Sequence, residues 1–583
     1  MKRAFQISVL AFLFSSAFLG SANSKSGTGS DDPTLPGPLE VKSSIYDFGD
    51  TALTFTGFPG PVEFRGSVHY PADLSGAAHP LIVFLHGRHY VCFTGTSVGD
   101  SNWPCPSGQQ PIPSFEGYDY LAQNLASYGY IVVSISANGI NAADFAVADQ
   151  GALARAQLIQ QHLNLWNTFN TAGGAPFGTL FVGKIDMTRI GTIGHSRGGE
   201  GVVRHFTFNQ LLGSPYGIKA VFAIAPIDFN HEVINGVALA VALPYCDGDV
   251  YTLEGVHYYD DSRYNVPGDQ AAKHVFLVMG ANHDYFNTIW TPSIFPAGAS
   301  DDWNYSSDSF CGTVPGNGRL TPVQQEFTAL AYVTAFLRAY VGGETQFMPL
   351  LAGAVPAPLA ASPSDIHVSY HAPDNPSLRL DVNRFLTAGS LTTDALGGTI
   401  SQIGLTPYSL CGAVGEITPC VAGLPGGRQP HTDSWFGTGQ LSQLMTGWRR
   451  ASAYTYAIPA GQGNVKGYQA LQFRLGVNFA DPRNAVGVAQ DFSVVLKDGT
   501  GKTVSVRVSD VAPGSLYFPP GTGPPSWSPV PRNILNMVRI PFSAFFGYGL
   551  NFTDIRSIQF KFDQTATGGI LITDVAFTAP PIN

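Results

Sequence analysis

Arg189-Ile190-Gly191-Thr192-Ile193-Gly194-His195-Ser196-Arg197-Gly198-Gly199 is the stretch on which the fold turns. A short apolar run ends at Ile193, and Val202, Val203 and Phe206 follow at helical spacing. The segment predicts a strand, a tight turn and a helix, with Gly194-x-Ser196-x-Gly198 at the turn. So sharp a turn needs small residues around the serine, and Gly194, Gly198 and Gly199 meet that need. The turn lifts the Ser196 hydroxyl clear of the strand end and aims a helix N-terminus at whatever sits above it. The pattern alone is weak in a chain with 66 glycines, where an ordinary strand–helix connection is the plain alternative. The strand and helix on either side give it weight.

On both sides of this turn, apolar runs alternate with helix-period segments from about residue 44 to 343. Pro61–Tyr70, Pro80–Leu85, Tyr130–Ser136, Lys219–Ala225, Val237–Leu243 and His274–Met279 read as further strands. Several are solid rather than alternating, which predicts a mostly parallel sheet covered on both faces. Tyr118, Leu121, Leu125 and Tyr128 mark one helix face, and Ala156, Ile159, Leu163 and Trp166 another. A closing helix carries its own punctuation. Thr321 is the N-cap, Pro322 the first helical residue, and Gln324 completes a capping box. Val323, Phe327, Leu330, Val333, Leu337 and Val341 follow at helical spacing, and Gly342-Gly343 ends the helix.

A serine nucleophile needs a base, and the base needs an orienting carboxylate. The strand ending at His274–Met279 runs into Gly280-Ala281-Asn282-His283-Asp284, which makes His283 the candidate base. Its plainer role is a capping or core-edge histidine. His162, His195 and His205 fall on helices or beside the serine. The strand ending Leu243-Pro244-Tyr245-Cys246 runs into Asp247-Gly248-Asp249. Asp249 is the favoured acid and Asp247 the runner-up, although Asp-Gly is also an ordinary turn pair. An oxyanion needs two backbone donors. The N–H of Arg197 supplies the first, and the loop His86-Gly87-Arg88-His89 the second, from Arg88 or else His89. The Arg88 side chain either meets an anionic substrate group or has a structural partner. Two irregular, Trp-containing segments, 91–113 and 288–318, are expected to line or roof the pocket.

The remaining composition narrows the choices. Of 583 residues, 31 are Lys or Arg and 41 Asp or Glu, giving a formal charge of −10. That excludes a basic nucleic-acid binder. An apolar share of 44% excludes a disordered chain. Met1-Lys2-Arg3, the apolar Ala4–Gly20 and the small residues through Ala22 read as a secretory signal peptide, residues 1–22. Residues 23–43 read as a flexible lead-in, and no later run approaches the length of a membrane span. The six cysteines of a secreted chain predict disulfides, preferably 92–105, 246–311 and 411–420. No CxxC and no Cys/His cluster has zinc spacing, so neither a metal nor a cofactor is expected.

Beyond residue 366 short alternating strands take over, at 465–476, 490–498, 502–509, 536–541, 556–563 and 569–577. They predict a β-sandwich over 367–583, joined by a Pro- and Ala-rich linker at 344–366. Its surface aromatics would be Trp435, Trp448, Tyr454, Tyr456 and Trp527, although a purely structural sandwich is the plainer reading.

His86-Gly87 after the third strand, Gly194-His195-Ser196-Arg197-Gly198-Gly199, Asp247-Gly248-Asp249 and Gly280-Ala281-Asn282-His283, in that order, resemble the α/β-hydrolase superfamily over about residues 44–343. The elbow is similar to those of chlorophyllase-like, dienelactone-hydrolase-like and cutinase-like polyester hydrolases. The resemblance implies an α/β domain with an eight-stranded, mostly parallel sheet and a Ser–His–Asp triad of Ser196, His283 and Asp249. The disulfide-bearing 91–113 loop departs from the compact cutinase pattern. The second half resembles jelly-roll, carbohydrate-binding-like domains. Together they imply a secreted, extracellular or periplasmic carboxyl-ester hydrolase acting on a small or polymeric ester, with a polysaccharide or polymer surface as a possible partner of the sandwich. The alternatives are a lipase or polyester hydrolase, a serine peptidase of the same fold, and a non-catalytic surface-binding protein.

Overall fold

The solid apolar runs form the middle of one nine-stranded sheet. A computed structural model of the chain describes residues 31–299, 302, 307–412, 420–421, 430–432, 441–521, 531–546 and 549–579. The expected signal peptide, Trp303, Trp435 and Trp527 lie outside the described residues. The sheet contains β1 (Val41–Asp47), β2 (Arg65–Pro71), β3 (His79–Leu85), β4 (Ile131–Ile135), β5 (Ile185–His195), β6 (Ile218–Ile224), β7 (Ala238–Pro244), β8 (Lys273–Val278) and β9 (Ile366–His371). Across the sheet they lie in the order β1-β2-β4-β3-β5-β6-β7-β8-β9. From β4 across to β8 every pairing is parallel. β1, β2 and β9 join antiparallel at the two edges.

The parallel strands are apolar throughout because both faces are covered. On one face Val83, Val133, Val221 and Val241 pack with Leu158, Ile159, Leu163 and Trp166 of α2 (Ala152–Thr171) and with Val202 and Val203 of α3 (Arg197–Leu211). On the other, Ile82, Phe84, Phe222 and Phe276 pack with Leu121 and Leu125 of α1 (Asp119–Ser127) and with Phe336 and Leu337. The closing helix starts at the expected capping box of Thr321 and Gln324, with Pro322 in its first turn. It runs to Tyr340 through one π-helical turn at Leu330–Thr334.

Three expectations about the connecting segments change. In the lead-in, Leu39 N–H donates to the Ser127 carbonyl (3.1 Å). Gly37 N–H donates to Ser127 Oγ (2.6 Å), so residues from 31 onward are anchored on α1. Residues 344–366 are not a free linker. Phe347, Met348, Leu351 and Ala361 are buried in the core beside the closing helix, because this Ala- and Pro-rich stretch carries well-spaced apolar residues. Residues 367–371, placed at the start of the sandwich by sequence, instead join Ile366 in adding β9 to the large sheet beside β8. Eight expected strands become nine.

The second half is two packed antiparallel sheets. One contains Tyr408–Cys411, Gln443–Trp448, Gly568–Thr578, Ala470–Val477 and Asn536–Pro541, with Arg379–Asn383 also on the Gly568–Thr578 strand. The other contains Ile400–Ile403, Ser452–Ala457, Ile555–Phe562, Ser493–Asp498 and Thr503–Arg507. Trp448, Tyr454 and Tyr456 are not surface aromatics, because their strands turn these positions inward. Trp448 stacks on Phe562 with ring centroids 4.5 Å apart, and Tyr454 on Phe560 at 4.7 Å. The cysteines pair as 92–105, 246–311 and 411–420. Among the described residues no helix is long and apolar enough to cross a membrane.

Candidate active site

Strand β5 ends at His195, and α3 begins at Arg197. Ser196 alone makes the turn, at φ 57° and ψ −126°. An L-residue held there stores on the order of 1–3 kcal/mol of backbone strain. Its N–H is tied to the Ile224 carbonyl at the end of β6 (2.8 Å). The flanking glycines are steric necessities. A Cβ on Gly194 would sit 1.9 Å from the Gly198 carbonyl oxygen, and one on Gly198 2.5 Å from that of Leu85. The loop after β3 passes directly over the serine. A Cβ on Gly87 would lie 2.5 Å from Ser196 Cβ and 3.2 Å from Oγ. The Gly87 carbonyl is held there by Asn141 Nδ2 (2.9 Å) and by His86 Nδ1 (2.9 Å). His86 Nε2 accepts from the Ala137 N–H (2.8 Å), so Nδ1 is its protonated nitrogen.

The candidate base and acid sit on the loops after β8 and β7. His283 Nδ1 is 2.9 Å from Asp247 Oδ2, and both side chains are buried. Asp249, the favoured acid, has its carboxylate 3.5 Å from the opposite ring nitrogen, Nε2, and is 42% exposed. The carboxylate on Nδ1 is therefore that of Asp247. The chain reverses at this residue: Asp247 N–H donates to the Pro244 carbonyl (3.0 Å). Asp247 Oδ1 accepts from the N–H groups of Asp249 (3.0 Å) and Val250 (2.6 Å). This turn holds Oδ2 toward His283 and sends Asp249 into the cleft. Burial opposes charge on His283, but the Asp247 carboxylate and its hydrogen bond, then Asp249 and Asp284, outweigh it. The imidazole is held well above the ordinary histidine range. Nε2 is buried and makes no hydrogen bond among the described residues.

Further side chains hold the base. His195 Nε2 lies 3.0 Å from the His283 carbonyl, and its Nδ1 3.0 Å from Tyr118 Oη. A carbonyl only accepts, so His195 Nε2 carries the proton and Nδ1 accepts from the tyrosine. Burial and the charge on His283 keep His195 neutral, well below the usual range. Trp290 is fully buried, 4.8 Å from the His195 ring and parallel to His283 at 6.4 Å. His89 also stacks on Trp290, at 5.1 Å. Asp302 Oδ1 accepts the Gly248 N–H (2.6 Å), bracing the acid turn. Burial pushes its carboxyl to about 8 against the Arg319 guanidinium, with the Asp247 charge adding to the rise.

No family model matches the chain, and no curated protein matches it significantly. The site therefore rests on its own geometry.

A cleft of about 320 Å³ opens over Ser196, walled by Arg88, Phe145, Phe229 and the segment from Asp249 to Thr252. None of the described residues of segments 91–113 and 288–318 lines it. They pack on one another through Phe93 and Phe295 (5.1 Å), while Trp290 turns inward. The two arginines meet a structural partner. Buried Asp144 pairs with Arg88 (3.3 Å), Arg197 (2.9 Å) and Arg155 (2.9 Å). Phe145 lies under both Arg88 (4.2 Å) and Arg197 (4.5 Å). The N–H of Arg197 opens α3, where no intrahelical acceptor exists for it. A larger cavity of about 860 Å³ lies elsewhere, between Gly353 and the sandwich residues Lys466, Tyr468 and Phe552, and shares no residue with this cleft.

Sequence patterns pointed to Ser196, His283, the Asp247/Asp249 pair and the Gly87 loop. They did not indicate Asp144, Asn141, Tyr118 or Asp302. Each of these is a lone polar residue whose partners are far away in the chain, so no local spacing marks it.

Proposed function

We propose that this chain is a serine hydrolase of the α/β-hydrolase fold that cleaves carboxylic esters. The observation that carries the reading is positional. A strained serine follows β5, a buried aspartate follows β7, and the histidine bonded to that aspartate follows β8. The strand order from β1 to β8 supports the fold assignment.

In this mechanism Ser196 Oγ attacks the carbonyl carbon as His283 Nε2 takes its proton. Asp247 fixes the Nδ1–H tautomer and stabilises the imidazolium. The oxyanion is met by the N–H of Arg197 and by that of Arg88, or else His89, on the loop over Ser196. His283 returns the proton to the leaving alcohol, giving an acyl-enzyme. It then deprotonates a water that attacks the acyl carbonyl and releases the acid and Ser196. No step requires a group beyond these side chains. The cleft volume suits a small acyl group over a long chain. The three disulfides support an oxidising, extracytoplasmic compartment.

The test is turnover of p-nitrophenyl esters from acetyl to palmitoyl by wild type and Ser196→Ala. Turnover concentrated at short acyl chains and lost in the variant is expected. A maximum at long chains would reassign the protein as a lipase or polyester hydrolase. Folded wild type with no turnover on any ester would overturn the reading.

A further inference from the structure

We propose that Asp228, His231 and His257 form a binding site for a divalent transition ion of the zinc class, separate from the Ser–His–Asp constellation. Asp228 follows the end of β6, His231 is three residues on, and His257 opens the helix Val256–Ser262. One ligand atom from each residue falls within a 4.8 Å cluster. Asp228 Oδ2 is 3.0 Å from His231 Nδ1 and 3.1 Å from His257 Nδ1. Zinc binds imidazole nitrogen at about 2.0–2.1 Å in a tetrahedron, which places ligand atoms about 3.3 Å apart. The two Asp–His spacings are close to that, and all three atoms lie within 4.8 Å of one another.

Two further observations point to a cation. His257 Nε2 is 2.6 Å from the Pro430 carbonyl, which can only accept, so Nε2 carries a proton. That arrangement orients and fixes metal-bound imidazoles, and in neutral His257 it leaves the Nδ1 lone pair facing the Asp228 carboxylate. Two electron-rich atoms 3.1 Å apart need positive charge between them, which in the ion's absence is a proton on Nδ1 favoured by the Asp228 carboxylate and which a bound cation would displace. Asp228 is 1% exposed, and its second oxygen, Oδ1, is buried with no hydrogen-bond partner among the described residues. Glu254 lies beside it, its Oε1 3.4 Å from the Asp228 N–H, and among the described residues no lysine or arginine forms an ion pair with Asp228. Asp and two His suit a borderline ion rather than calcium or magnesium, which favour all-oxygen sets. The fourth position would be water, on the side where His231 is 35% exposed.

Asp228 and His231 stand three residues apart and His257 lies 26 residues further on, so no Cys/His motif marks the site in the sequence. It would tie the end of β6, whose Ile227 and Phe229 wall the cleft, to the helix Val256–Ser262.

The experiment is metal uptake by the full chain. After dialysis against micromolar zinc and then metal-free buffer, wild type should retain close to one ion per chain and melt several degrees higher than after chelation. Cobalt(II) should give the intense visible d–d bands of a four-coordinate site. His231→Ala, chosen because its ring is partly exposed, should fold and lose the ion and the bands, and Asp228→Asn should do the same. All six cysteines are in disulfides, so thiolate does not compete. Folded wild type that retains no ion, or a His231→Ala variant that retains as much as wild type, would overturn the proposal.

Discussion

Asp247 and Asp249 stand two residues apart and face opposite nitrogens of one imidazole. The pairing of Pro244 with Val278 continues past the strand ends, and simple counting would set Asp249 across from His283. The turn at Asp247 shortens the chain and puts the nearer aspartate on Nδ1. Asp247→Asn removes both the tautomer control and the counter-charge, and kcat on a short ester should fall by about 10³–10⁴-fold. Asp249→Asn should stay within about tenfold of wild type, since its carboxylate is partly solvated and does not bond Nδ1. Reversed rankings would reinstate Asp249 as the acid. The pH profile gives a second check. His283 acts as a base only when neutral, and its folded-state pKa is raised. Activity should therefore climb with pH above the ordinary histidine range, through a midpoint that moves down in both variants, further in Asp247→Asn. The sequence made the serine and histidine legible because each sits in a motif at a strand end. It left the acid open because the choice depends on a three-bond turn that composition does not encode.

At the scale of elements, the loop over the serine and the elbow beneath it are fitted backbone to backbone. Gly87→Ala would drive a methyl to 2.5 Å from Ser196 Cβ, with the chain tied down by Asn141 and His86. Turnover should drop by at least about tenfold, because an ångström-scale misplacement at the reacting centre costs that much or more, and stability should fall by about 1–3 kcal/mol from overpacking. Wild-type kcat/KM in Gly87→Ala would show that the loop does not meet the reacting group. The 246–311 disulfide closes a 65-residue separation directly before the acid turn. Replacing both cysteines with serine should lower stability by about 4 kcal/mol on the chain-entropy account, read by urea unfolding. Elements with dense local signals were legible: the solid strands, the capping box at Thr321, and the disulfides close in sequence. β9 was not, because six half-alternating residues read equally well as a sandwich strand. Its place is set by the exposed edge of β8, which no local pattern shows. The inward aromatics Trp448, Tyr454 and Tyr456 misled for a similar reason, since alternation says which residues share a face but not which face is buried.

At the scale of the whole molecule the two halves are joined by buried charge rather than by a loose tether. Asp260, on the helix Val256–Ser262, accepts from Arg474 of the sandwich (2.8 Å) and His431 (2.6 Å). Arg263 pairs with Asp574 on the final sandwich strand. Burial alone would push the Asp260 carboxyl up. Arg474 and His431, then Arg263, reverse this and hold it well below the usual carboxylate range. A carboxylate so depressed contributes stability that is present above its unfolded pKa of about 3.9 and is lost as pH falls toward the folded value. Arg474→Met keeps much of the side-chain volume but leaves Asp260 short of its strongest partner in a site where both groups are buried. Removing one member of such a pair costs about 3–5 kcal/mol. The variant should melt several degrees below wild type at pH 7, and the gap should narrow as the pH approaches 4 and Asp260 protonates in the weakened site. A constant gap from pH 7 to 4 would assign the loss to packing instead. Unchanged melting would mean that the halves are held by their apolar contacts alone, and that these charges set their orientation without stabilising it.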